Sequence, residues 1–157
     1  MNKRLFLICP DCFIEQTIRK HYGPDSFFLT ALGSVFHINS FEYAEEINSF
    51  LSGEDVMDIY VVNDVQCTFI RNTMTIQNHQ TKAEQKLAQL YLDNLDDFED
   101  FTSDEDKAKH LALLNIKRQA KDLSETAFLG SKIQDGSLRV KGLLYDRSKE
   151  EFKEISL

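Results

Sequence analysis

The chain has no tryptophan, only 2 prolines and 6 glycines, and 3 cysteines in 157 residues. So few prolines and glycines exclude collagen-like and low-complexity classes, and the 28% of charged residues sits beside 42% hydrophobic ones, which excludes a disordered polyelectrolyte. An odd, small number of cysteines in a chain long enough to bury its own core argues against a disulfide framework and for reduced thiols with packing, metal or redox roles. No long hydrophobic run occurs. Leu5 to Ile8 falls far short of a membrane span and of a secretory leader's core, so a cytoplasmic protein without a membrane association is expected. A basic stripe is missing as well. Asp93, Asp96, Asp97, Glu99, Asp100, Asp104, Glu105 and Asp106 lie in one window without Lys or Arg, and they account for the whole net charge of −8. The rest is neutral, which gives nucleic-acid binding no support, and the acidic window reads as a solvated helix end and loop.

What is present is a single-domain pattern over residues 1–157 in which strands alternate with helices. Lys3 to Ile8 reads as a short buried strand, and Pro10-Asp11 as the turn that opens a helix through Phe13, Ile14, Ile18 and Tyr22, ended by Gly23-Pro24. Ser26 to Leu32 is a second apolar run. Asn39 with Glu42 makes a capping box for a helix carrying Phe41, Ala44, Ile47 and Leu51. Asp58 to Val62 is a third strand. Apolar residues at three-and-four spacing predict a long amphipathic helix over Thr81 to Phe101 and another over Lys107 to Leu123. Gly136 to Tyr145 alternates as a strand, and Phe152 and Ile155 continue in strand-like pieces. This order predicts an α/β fold with a mainly parallel sheet flanked by helices.

The cysteines fall where such sheets carry their chemistry, at the carboxyl ends of strands. Cys9-Pro10-Asp11-Cys12, between a strand and a helix, suggests a thiol redox pair of Cys9 and Cys12. A second arrangement joins Cys9-Pro10-Asp11 to Asp64-Val65-Gln66-Cys67, bringing two thiolates and two carboxylates, all competent zinc donors, over one sheet. Three cysteines packed as small hydrophobes in a metal-free interaction or structural protein remain the simplest account. In the same spirit Asp11 suits a helix N-cap and Asn63-Asp64 a turn.

Cys9 to Phe13, Asp25 to Gly33, Ser40-Phe41-Glu42-Tyr43-Ala44, Val61 to Thr68, Asn115 to Gln119 and Gly136 to Asp146 together resemble, in order and spacing, the motifs of β-class carbonic anhydrases. The resemblance implies that family's fold and a zinc centre whose Cys, His and Cys ligands map to Cys9, Asp64 and Cys67. The departures fall on functional positions. Aspartate stands for the ligand histidine at Asp64, the family's Asp-Arg pair becomes Asp11 and Phe13, and its Arg-Asn becomes Thr30 and Ala31. With no arginine to restrain it, Asp11 is expected to join the metal and close a Cys2Asp2 shell of Cys9, Cys67, Asp11 and Asp64. Hydration of CO2 to bicarbonate should then be weak or lost, because an open position and a water of near-neutral pKa are both required. Were the chain active, Asp11 would be the catalytic proton acceptor. The resemblance further implies a homodimer. Only eight residues precede Cys9, too few for the helical arm through which the family's dimers also pair, so the resemblance does not carry over the geometry of that dimer. His21, His37, His79 and His110 lie outside the metal motifs and are expected on surfaces or helices.

Overall fold

A computed structural model describes residues 2–38, 40–75 and 78–157. Five strands form one sheet: β1 (Arg4–Ile8), β2 (Ser26–Thr30), β3 (Asp58–Asp64), β4 (Arg139–Asp146) and β5 (Glu151–Ile155), in the order β2-β1-β3-β4-β5. The first three pairings are parallel and β4 with β5 is antiparallel, so the expected α/β architecture is the one observed. Every residue of the central strand β3 is buried. A strand covered on both faces needs apolar side chains pointing both ways, which explains the unbroken Ile-Tyr-Val-Val run. The edge strand β5 instead exposes Glu151, Lys153 and Glu154, charges that deter further pairing.

The connections are α1 (Glu15–Tyr22), α2 (Phe41–Gly53), α3 (Thr68–Thr73), α4 (Lys82–Asp93), α5 (Leu95–Phe98), α6 (Asp104–Ser124) and α7 (Ala127–Gln134). The register puts Phe6 beside both Phe28 and Tyr60. Their rings stack at 5.8 and 4.8 Å, and Tyr22 of α1 closes on Phe6 at 5.2 Å. Helix α6 supplies Leu111, Ala112, Ile116 and Leu123 to the core. Gly142 of β4 permits that approach, since a Cβ there would stand 2.6 Å from Ile116.

Several boundaries differ from the sequence pattern. The first helix begins at Glu15, because Pro10–Cys12 forms a separate 3-10 turn. The helix expected over Thr81 to Phe101 breaks at Asn94, whose φ of −124° leaves the helical range and whose side chain donates to Leu90 O at 2.8 Å. Its start is fixed by a capping box between Thr81 and Glu84. Helix α6 begins before Lys107, with Ser103 Oγ accepting from the Asp106 amide at 3.1 Å. The acidic window thus spans the end of α4, α5 and the first turn of α6, where three carboxylates face the positive end of the helix dipole. Asn39 of the expected capping box lies outside the described residues, and Ser40 occupies the N-cap of α2. The short helices α3 and α7 had no periodic signal strong enough to predict them.

Candidate metal centre

Strand β1 delivers Cys9 in extended conformation, φ −87° and ψ 130°. Proline suits the first position of a helical turn, and the turn Pro10–Cys12 closes when the Cys12 amide donates to Cys9 O at 3.2 Å. One 3-10 turn brings residue i+3 back over residue i, so Cys12 returns towards Cys9. Phe13 then takes the left-handed region, φ 51° and ψ 39°. This reversal leaves Phe13 81% exposed while Ile14 enters the core. At the end of β3 the Cys67 amide donates to Asp64 O at 3.0 Å, and Val65 N to Tyr145 O at 2.9 Å, which turns Cys67 inward at the N-cap of α3.

The outcome is a buried cluster. The sulfurs of Cys9, Cys12 and Cys67 all lie within 4.8 Å of one another, and none is in a disulfide. Zinc–thiolate bonds of about 2.3 Å put two sulfurs of one tetrahedron about 3.8 Å apart, so the donor set and its spacing fit zinc. Contacts from Cys12 and Cys67, helped by the Asp11 and Gly33 amides, hold the Cys9 thiol far below its usual range against the opposing effect of burial. Cys12 is pushed up by its contacts with Cys67 and Cys9 and by burial. For Cys67 a lowering contact from Cys12 is outweighed by the contact with Cys9 and by burial, which raise it to about 12. The three thiols thus bias one another's ionisation, and a soft cation bound by them would displace their protons.

The two carboxylates expected in this shell are engaged elsewhere. Asp64 is fully buried, yet its Oδ1 accepts from the Gln66 amide at 2.9 Å and its Oδ2 from Arg147 Nη2 and Nε at 2.8 and 3.1 Å. Burial pushes the Asp64 carboxyl up, and the Gln66 amide and Arg147 oppose that only in part. Burial draws Arg147 down, but the bond to Asp64 prevails and its guanidinium is held above its ordinary range. Asp11 does not cap α1. Its Oδ2 accepts from the Thr68 amide at 3.4 Å and so caps α3 from across the site. Among the described residues, the metal-competent group contains no histidine and no carboxylate. Cys12, expected in a redox pair and not among the metal ligands, joins the cluster, and Arg147 is the partner of Asp64 that the sequence did not suggest. The Cys-x-x-Cys spacing pointed to the first, and nothing local pointed to the second.

A polar network supports the cluster from beneath. Gly33 and Ser34 both take positive φ, 65° and 54°. The Gly33 amide donates to Cys9 Sγ at 3.2 Å, and its carbonyl accepts from Asn63 Nδ2 at 3.3 Å and Asn115 Nδ2 at 3.2 Å. Asn115 also donates to Asn63 Oδ1 at 2.8 Å, Ser34 Oγ to Val62 O at 2.7 Å, and the Phe36 amide to Gln119 Oε1 at 3.0 Å. Gly33, Asn115 and Gln119 belong to the motifs that carried the resemblance, and their use here is to fix the loop that bonds to Cys9.

No protein-family model and no curated protein sequence matches the chain. Solved structures do. The β-carbonic anhydrase CafA of the fungal pathogen Aspergillus fumigatus superposes with a TM-score of 0.84 at 19% identity, over 99% of this chain and 76% of that one. A tetrameric β-carbonic anhydrase from the filamentous ascomycete Sordaria macrospora gives 0.86 at 16% identity, covering 99% and 81%. The Coccomyxa β-carbonic anhydrase in complex with acetazolamide gives 0.81 at 13% identity, covering 98% and 72%. The chain has the β-carbonic anhydrase fold.

Proposed function

We propose that this chain is a zinc-thiolate protein on the β-carbonic anhydrase fold, in which hydration of CO2 is absent or strongly reduced. The observation that carries the proposal is the meeting of three buried sulfurs from two strand ends within 4.8 Å. Cys9, Cys67 and Cys12 would hold the ion, with Asp64 and Asp11 beside it. Zinc at such a site supplies Lewis acidity, which three thiolates and two adjacent carboxylates weaken by leaving the surroundings negative even with Arg147 counted. Ionisation of a water molecule is then opposed, and the Asp11 Oδ2 is engaged by the Thr68 amide.

The alternative of a Cys9–Cys12 redox pair has the required spacing, but α1 starts only at Glu15, so neither thiol sits at the N-terminus of that helix. We further propose a homodimer, supported by the oligomeric state of the Sordaria macrospora protein and by the unpaired edge of β2, and a reducing, cytoplasmic setting, supported by the free thiols. No helix among the described residues is long and apolar enough to cross a membrane.

Metal analysis of protein purified without added metal tests the proposal. About one zinc per chain is expected, abolished by Cys9→Ser or Cys67→Ser and strongly reduced by Cys12→Ser. Zinc-free protein that forms and releases a Cys9–Cys12 disulfide would establish the redox alternative instead. Zinc-free protein with unreactive thiols would establish a purely structural scaffold.

A further inference from the structure

We propose that Arg147 is a positioning residue that keeps the Asp64 carboxylate off a metal held by Cys9, Cys12 and Cys67, reserving the fourth position for a small neutral donor. The inference rests on the three-sulfur centre proposed above and adds what completes it. Asp64 lies three residues before Cys67, one turn from a proposed ligand, and it is fully buried. A buried carboxylate without a partner is costly and seeks the closest cation. Arg147 supplies that cation through two bonds to one oxygen, Oδ2, while the Gln66 amide occupies Oδ1.

The guanidinium is held in place by a pinned turn. The Arg147 amide donates to Gln66 Oε1 at 2.9 Å, Gln66 Nε2 donates to Asp146 Oδ1 at 3.0 Å, and Ser148 N and Oγ donate to the same oxygen at 3.0 and 2.6 Å. Gln66 thus ties the β4–β5 turn to the segment that carries Asp64 and Cys67. Because three thiolates and two carboxylates outweigh a divalent ion and one guanidinium, the surroundings stay negative, and an incoming anion is disfavoured relative to a neutral donor such as imidazole.

The full chain loaded with cobalt(II) tests this, with imidazole as the neutral probe, azide as the anionic one and the visible spectrum as readout. Imidazole should shift the wild-type bands at far lower concentration than azide. In Arg147→Ala the bands should already differ before any addition, and the imidazole affinity should fall roughly 10–100-fold. Arg147→Lys should fall in between, and Arg147→Ala combined with Asp64→Asn should regain the wild-type response. Asp64→Asn alone should leave the wild-type bands in place. An unchanged imidazole response in cobalt-loaded Arg147→Ala would overturn the inference, as would altered bands in Asp64→Asn or azide binding as tight as imidazole. Wild-type protein that takes up no cobalt would overturn the three-sulfur centre itself.

Discussion

The backbone amide of Gly33 donates to the sulfur of Cys9 across 3.2 Å, joining the loop after β2 to the end of β1. This bond requires Gly33 at φ +65°, where a Cβ would meet Leu87 Cδ1 at 2.9 Å and Phe69 Cβ at 3.2 Å. Gly33→Ala should therefore lower the urea midpoint, the left-handed backbone alone costing about 1–2 kcal/mol of stability and the clash more. Equal midpoints would show that the loop yields freely.

Asn115 is buried and its amide serves Gly33 O, Ser34 O and Asn63 Oδ1. Asn115→Ala strips those acceptors at once and should destabilise by about 1–3 kcal/mol. Chemical denaturation reads the stability. Metal content, if zinc is bound, should fall with it, because the same loop presents the amide that bonds to Cys9.

Acid should loosen the β4–β5 turn. Bonds from Ser148 and Gln66 hold the Asp146 carboxyl down at about 2, below the value of about 3.9 expected in the unfolded chain. A depressed folded pKa contributes stability that is complete above about pH 4 and is lost as pH falls towards 2. Asp146→Asn should lower stability at pH 7 and flatten that part of the profile. A profile as steep in the variant as in the wild type would assign the acid sensitivity to other groups.

Stopped-flow CO2 hydration by the zinc-loaded chain should be indistinguishable from buffer or far below that of a competent enzyme. Both a vacant ligand position and a water of near-neutral pKa are needed, and the sulfur-rich, negatively charged centre opposes the second. Rapid turnover would overturn the proposed loss of activity while leaving the metal centre intact.

Sequence by itself determined the elements whose pattern is local. The buried runs of β1 and β3 and the three-and-four spacing of α4 and α6 were legible because burial on two faces, or on one helical stripe, leaves a direct mark on residue order. The break at Asn94 was not, since nothing in the apolar spacing changes there. The Thr81–Glu84 capping box has a local signature, Thr-x-x-Glu at the start of α4.

At the candidate centre, strand ends implied that Cys9 and Cys67 meet, because parallel strands of one sheet carry their carboxyl ends to one edge. Only the tertiary structure decided the rest. Cys12 joins them through a 3-10 turn that periodicity cannot foresee, and its reversal depends on Phe13 in the left-handed region. Asp64 turns to Arg147, 83 residues away, and Asp11 to the Thr68 amide, 57 residues away. Ion pairs and caps between distant segments are set by strand register and turn geometry, which residue order alone does not record.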